Sequence, residues 1–215
     1  MESLASNIAE KIALQMDYDK NKQAVIAYGL TAIMQMITIF FMMSLFGILF
    51  DFWLETILIY LGVGIIRKST GGAHSETMMG CIIISVLSIV SLSALSRYVL
   101  SKPMNSTYNI SFTVLLFILS FIIFFRRVPV DSPKKQIVKK EKIQRLRKQS
   151  FLILLVFFII SLTLIQLVEI NPRFYSISAA IKLTVIWMNF TLTKTGINFF
   201  KLVDSKLINR RLTDK

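Results

Sequence analysis

Long apolar stretches separated by short polar ones dominate the chain. Six stand out: Val25–Phe50, Phe52–Ile66, Met78–Leu95, Tyr108–Phe125, Phe151–Val168 and Tyr175–Thr193. Their apolar residues run on all sides instead of recurring as one stripe, the pattern of a helix whose whole surface meets lipid or protein. Most reach the roughly 20 residues that a bilayer requires of a helix. Phe52–Ile66 is shorter, and its flanks can extend it. Ahead of the first run the pattern changes. Leu4, Ala5, Ile8, Ala9, Ile12, Ala13 and Met16 share one helical face, with Glu2, Asn7, Glu10, Lys11 and Gln15 elsewhere. Residues 1–20 therefore predict an amphipathic helix, lying on a membrane surface or packed against the spanning helices. The expected architecture is all-α: a polytopic integral membrane protein with six transmembrane helices and an N-terminal amphipathic helix, one membrane-embedded domain over residues 1–215.

Composition agrees with that pattern. The chain is 54% hydrophobic with 17 Phe, and its mean hydropathy is +0.65. A soluble domain of this length lacks the interior to hide so much apolar surface. A formal charge of +13 raises nucleic acid as a partner until its distribution is followed. With six spans the polar segments alternate sides. One side receives Lys11, Lys20, Lys22, Arg67, Lys68, ten basic residues in the 126–148 loop, and six more from Lys194 onward, most of them in the 201–215 tail. The other receives Arg97, Lys102 and Arg173. Twenty-one against three is a strong positive-inside bias, which predicts cytoplasmic termini and a cytoplasmic Arg67–Cys81 segment. Topology thus accounts for the charge, and no nucleic acid is implied. The N-terminus does not have the form of a signal peptide. A single cysteine excludes a disulfide framework within the chain and a thiolate metal cage, and no cofactor or nucleotide motif is present.

The chemistry is concentrated in one stretch, RKSTGGAHSETMMGC, from Arg67 to Cys81. It holds the only histidine and the only cysteine, seven positions apart. In one reading, Cys81 is a small hydrophobe in a helix and His74 an interfacial loop residue. In the other, Cys81 is a nucleophile and His74 its general base and acid. Gly71 and Gly72 allow a tight turn between two apolar spans, and Ser75 followed by Glu76 reads as the cap and acidic first turn of the next helix. On one unbroken helix, residues seven apart are separated by about 10.5 Å along the axis, too far for contact. A helix beginning at Ser75 leaves His74 in the turn, free to fold down beside Cys81. Protonated His74, Arg67 and the helix N-terminus would then all favour a thiolate.

Arg67, Gly72, His74 and Cys81, spaced R-x4-G-x-H-x6-C between two hydrophobic spans, resemble the accessory gene regulator B (AgrB) family. Those are membrane-embedded cysteine endopeptidases that process quorum-sensing pro-peptides in Gram-positive bacteria. The segment Val128-Pro129-Val130-Asp131-Ser132-Pro133-Lys134-Lys135 is similar to the family's basic cytoplasmic loop, and length and N-terminal helix also agree. The resemblance implies cleavage of a short precursor on the C-terminal side of the future signal. It implies retention of the N-terminal part as a thioester on Cys81, and ring closure by an internal thiol or hydroxyl to a thiolactone or lactone. It further implies a Gram-positive cell membrane, an AgrD-like pro-peptide and the lipid bilayer as partners, a homodimer, and no cofactor.

Other groups carry two readings each. Arg67 orients the precursor or an active-site carboxylate, or is a flanking positive-inside arginine. Glu76 orients His74, or is an ordinary helix-start carboxylate. Lys134 and Lys135 bind an acidic precursor tail, or only set topology. Lys182, a charge within the last apolar run, snorkels to the outer interface or pairs with a buried partner. Asp51 and Glu55 are expected to meet headgroups or water. A small peptide transporter, with His74 as a proton relay, is the competing function; it requires ionisable residues repeated through the spans. A structural scaffold leaves the Arg67–Cys81 stretch unexplained.

Overall fold

A computed structural model describes residues 2–213, except Glu76 and residues 131–139, and the side chains of residues 3–206 among them. Among the described residues eight α-helices follow one another: α1 Glu2–Gln15, α2 Lys20–Leu49, α3 Trp53–Thr70, α4 Met78–Ala94, α5 Ser106–Arg127, α6 Lys140–Gln166, α7 Arg173–Leu192 and α8 Lys194–Thr213. A π-helical turn, Leu95–Val99, extends α4, and a 3-10 turn, Leu167–Glu169, extends α6. Among the described residues the only β-type pairing is one parallel bridge, Gly71 to Val130.

Each of the six apolar runs falls on a helix, but the count of spans differs from the six expected. Among the described residues four helical segments are long and apolar enough to cross a membrane: Lys20–Leu49, Met78–Val99, Ser106–Arg127 and Lys140–Glu169. A fifth is reached if α7 and α8, bent by 78° at their junction, form one broken span. The remaining run lies on α3, whose 18 residues include Glu55, Arg67 and Lys68, and those charges dilute its apolar length. The flanks of the loop expected over 126–148 are helical, since α5 continues to Arg127 and α6 begins at Lys140. The 201–215 tail is largely helical, as part of α8.

The helix α7 occupies the centre and packs on α3, α4, α5, α6 and α8. One apolar cluster joins Ile66, Phe117, Phe124, Val128, Leu154, Val185, Met188 and Leu192; another joins Ile39, Met43, Ile59, Ile82, Ile89 and Ala180. In lipid such contacts stabilise through close packing more than through removal from water, which favours small residues where helices cross. Gly62 of α3 meets α7 in this way: a Cβ there would lie 2.9 Å from Thr184 Cγ2. Among its described side chains the N-terminal α1 buries only Ala5, Ala9 and Ala13, against α2, and leaves Leu4 and Ile8 exposed, as is Met16 just past its end. Of its two expected settings it therefore shows packing along a narrow alanine stripe, with a second apolar strip still outward.

Of the ionisable residues in the apolar runs, Lys182 takes the second of its two readings, a buried partner, and Glu55 is placed otherwise than expected. Lys182 is 7% exposed and does not snorkel; its Nζ donates to Asn109 Oδ1 of α5 at 2.6 Å. Glu55 is 2% exposed, away from water, and accepts from Ser176 Oγ at 2.6 Å. Both sit where α7 closes against its neighbours, and each gains the hydrogen bond that a buried polar group needs. Asp51 does face outward, paired with Arg97 at 2.9 Å.

Candidate active site

The segment between α3 and α4 is held from several sides. α3 ends where Gly71 takes φ +69, followed by Gly72 at φ +126, conformations that glycine adopts without the Cβ penalty. The chain then runs extended along the end of α5, where Val130 N donates to Thr70 O at 2.9 Å. A Cβ on Gly71 would collide with Val130 O. Farther on, Ala73 N donates to Thr191 O at the end of α7, also at 2.9 Å. Arg67 reaches forward from α3, and its Nη2 donates to Ala73 O at 2.9 Å. The two glycines of the sequence reading thus serve a turn and two close approaches, and Arg67 spans the loop it precedes.

The start of α4 lies two residues later than expected. Thr77, not Ser75, is the cap: its Oγ1 accepts from Gly80 N at 3.1 Å. Cys81 sits in the first turn and donates its N–H to Thr77 O at 3.0 Å. The helix dipole there favours negative charge, and the Arg67 guanidinium lies within electrostatic reach of Cys81. Cys81 is half-buried. His74, also half-buried, precedes the cap in the extended segment. Its Nδ1 lies 2.9 Å from Ser75 O. A carbonyl oxygen can only accept, so Nδ1 carries the proton and Nε2 is the basic nitrogen of the neutral ring.

The family model described as "Accessory gene regulator B" matches residues 5–192. The chain belongs to the AgrB family. Two relatives from Clostridium perfringens align along almost their whole length. The "Putative AgrB-like protein" of strain SM101 / Type A is 29% identical over 207 residues, 95% of this chain and 97% of that one. The "Putative AgrB-like protein 2" of strain 13 / Type A is 27% identical over 209 residues, with the same coverage. No solved structure matches. Membership points to a membrane protein concerned with autoinducer-peptide processing.

Within this AgrB-family chain, Arg67, Gly71, Gly72, His74 and Cys81 belong to one short segment at the junction of α3 and α4. Glu76, Lys134 and Lys135 lie outside the described residues. Asp204 was not anticipated. It stands on α8, only 6% exposed, and its Oδ1 accepts from Ser75 Oγ and, at 3.2 Å, from Thr77 Oγ1. Gly196, Phe200 and Asp204 form the buried stripe of α8. The signal for it was an acid at i+4 from Phe200 and i+8 from Gly196, amid Lys194, Lys201 and Lys206.

Proposed function

We propose that this chain is a membrane-embedded cysteine endopeptidase that cuts an autoinducing pro-peptide and promotes its cyclisation through a thioester on Cys81. The observation that carries the reading is the setting of the only cysteine. It lies in the first turn of a helix, within electrostatic reach of Arg67, in a segment shared with the only histidine. His74 Nε2 takes the thiol proton as Cys81 Sγ attacks the scissile carbonyl carbon. The C–N bond then breaks, and the imidazolium returns the proton to the leaving amine. A thiol or hydroxyl within the retained peptide attacks the thioester carbonyl, giving up its proton to His74, and Cys81 leaves as the ring closes. Trading an amide for a thioester is uphill, so the site must keep water away; Met78 and the buried Ile82 line the helix beside Cys81. In this reading both termini and the site face the cytoplasm of a Gram-positive cell, an orientation supported by the excess of basic residues on that side. Lys134 and Lys135 suit an acidic precursor tail, and a homodimer is the expected assembly.

Transport has one feature in its favour, since Glu55 and Lys182 are ionisable groups buried in the bundle. Each is bonded to a local neighbour, Ser176 or Asn109, as structural polar groups in lipid are.

The deciding experiment uses a cognate precursor whose ring-forming residue is changed to Ala. The precursor should still be cut, and its N-terminal part should stay on Cys81 as an adduct of enzyme plus truncated peptide that hydroxylamine removes. Adding the C-terminal fragment should reduce the adduct, because its amine restores the more stable amide. Linear acid without an adduct would indicate a simple hydrolase. With neither truncated precursor nor adduct, the peptidase reading fails and transport takes its place.

A further inference from the structure

The carboxylate of Asp204 sits at the centre of the polar contacts that shape the His74–Cys81 segment. The 78° bend between α7 and α8 folds α8 back towards α4. Gly196 permits the bend, being packed against Phe190 O with no room for a Cβ, while Thr193 Oγ1 accepts from its N–H at 3.1 Å. Two turns further on, Asp204 Oδ1 receives both the Ser75 and Thr77 hydroxyls. From that oxygen two short chains of hydrogen bonds lead out. Through Ser75, the residue whose hydroxyl Asp204 holds also presents the carbonyl to which His74 Nδ1 donates. Through Thr77, the hydroxyl that donates to Asp204 accepts from Gly80 N, and the Thr77 carbonyl accepts from Cys81 N. The packing around this point is tight. A Cβ at position 80 would lie 2.6 Å from Thr77 Oγ1 and 3.0 Å from Asp204 Oδ1, and would collide with Ser75 Oγ.

We propose that Asp204 is a positioning residue for the peptidase chemistry, one carboxylate that orients the His74 ring through Ser75 and the Cys81 turn through Thr77. It lies beyond residues 5–192, the span matched by the family model. An acid that merely stabilised α8 would face water on that amphipathic helix. Here it is buried, and it links two hydroxyls from the opposite side of the site. Because a hydroxyl bond fixes direction as well as distance, losing the acceptor should misalign base and nucleophile more than it weakens precursor binding.

The inference rests on the peptidase reading, so the test has one readout that needs no cleavage. Cys81 is the sole thiol, and its alkylation by iodoacetamide can be followed by intact mass on the full chain in lipid nanodiscs. Asp204→Ala should slow alkylation at neutral pH by about tenfold and lower kcat for precursor cleavage by about 10²-fold, with KM within about threefold. Asp204→Asn should recover alkylation to within about threefold of the unaltered chain, since its amide oxygen can still accept both hydroxyls. Alkylation unchanged or faster in Asp204→Ala would overturn the proposal, because α8 would then only cover the segment. If Asp204→Ala fails to fold, Ser75→Ala combined with Thr77→Val removes the same link from the other side and is judged by the same rates. Should the unaltered chain not cleave precursor at all, the peptidase reading falls while the alkylation comparison still decides what Asp204 does.

Discussion

Just ahead of α3, Asp51 meets Arg97 across 2.9 Å with the Asp51 side chain 78% exposed, and Tyr98 OH donates to Phe50 O nearby. Past the end of the same helix, a buried carboxylate from α8 gathers Ser75 and Thr77, backbone bonds tie the chain to α5 and α7, and Arg67 crosses the gap. Both ends of α3 use charge and hydrogen bonding, yet the surroundings give them unequal weight. An exposed ion pair is screened by water and contributes about 0–1 kcal/mol. A buried acceptor that loses its donors, or donors their acceptor, costs about 1–3 kcal/mol for each group left unpaired. Precision is therefore concentrated at the end that carries His74 and Cys81, and the opposite end is a simple clasp.

Substitutions can break that contrast, beginning with the most severe. Cys81→Ala, and separately His74→Ala, should abolish precursor cleavage while membrane insertion, followed by fractionation, stays intact. Cleavage at the ordinary rate by a folded Cys81→Ala protein would return both residues to structural roles. Gly80→Ala should come next, because the added methyl presses on Ser75, Thr77 and Asp204 together. A displacement of about 1 Å there is expected to lower kcat on the order of 10²-fold, measured with purified protein in liposomes.

Gly71→Ala forces φ +69 on a residue with a Cβ and drives that Cβ into Val130 O. The expected loss is about 1–3 kcal/mol, read as a lower midpoint of thermal unfolding in detergent. An unchanged midpoint would mean that the Gly71–Val130 bridge is dispensable. Arg97→Ala, at the other end, should change stability by less than about 1 kcal/mol and leave cleavage as it was. A large effect there would erase the distinction between the two ends.

The apolar runs located helices closely where little else intervened. Met78–Leu95 became α4 at Met78–Ala94, and Tyr108–Phe125 lies within Ser106–Arg127. The capping pattern missed by two residues because Ser75 and Thr77 are both good caps, and the choice between them involves Asp204, 127 residues away from Thr77. Contacts of that range leave no local periodicity. Burial of Glu55 was hidden, and that of Lys182 left as one of two readings, for a related reason: a run that is apolar on every side does not reveal which face meets another helix and which meets lipid. Cys81 and His74 stand out as candidates because their chemistry is rare in this chain, whereas Asp204 is one acid in a basic, helical tail.

The attachments of the site segment to α5 and α7 run from backbone to backbone, Val130 N to Thr70 O and Ala73 N to Thr191 O. Neither hydrogen bond uses a side chain, so a substitution at position 130 or 191 removes neither donor nor acceptor unless it brings proline to 130. The two side chains answer to packing instead: Thr191 is 1% exposed, with its Oγ1 2.9 Å from where a Cβ on Gly72 would stand, and Val130 packs on the cluster around Phe124. The segment is thus fastened by groups that almost every residue type carries and trimmed to fit by the bulk of its neighbours.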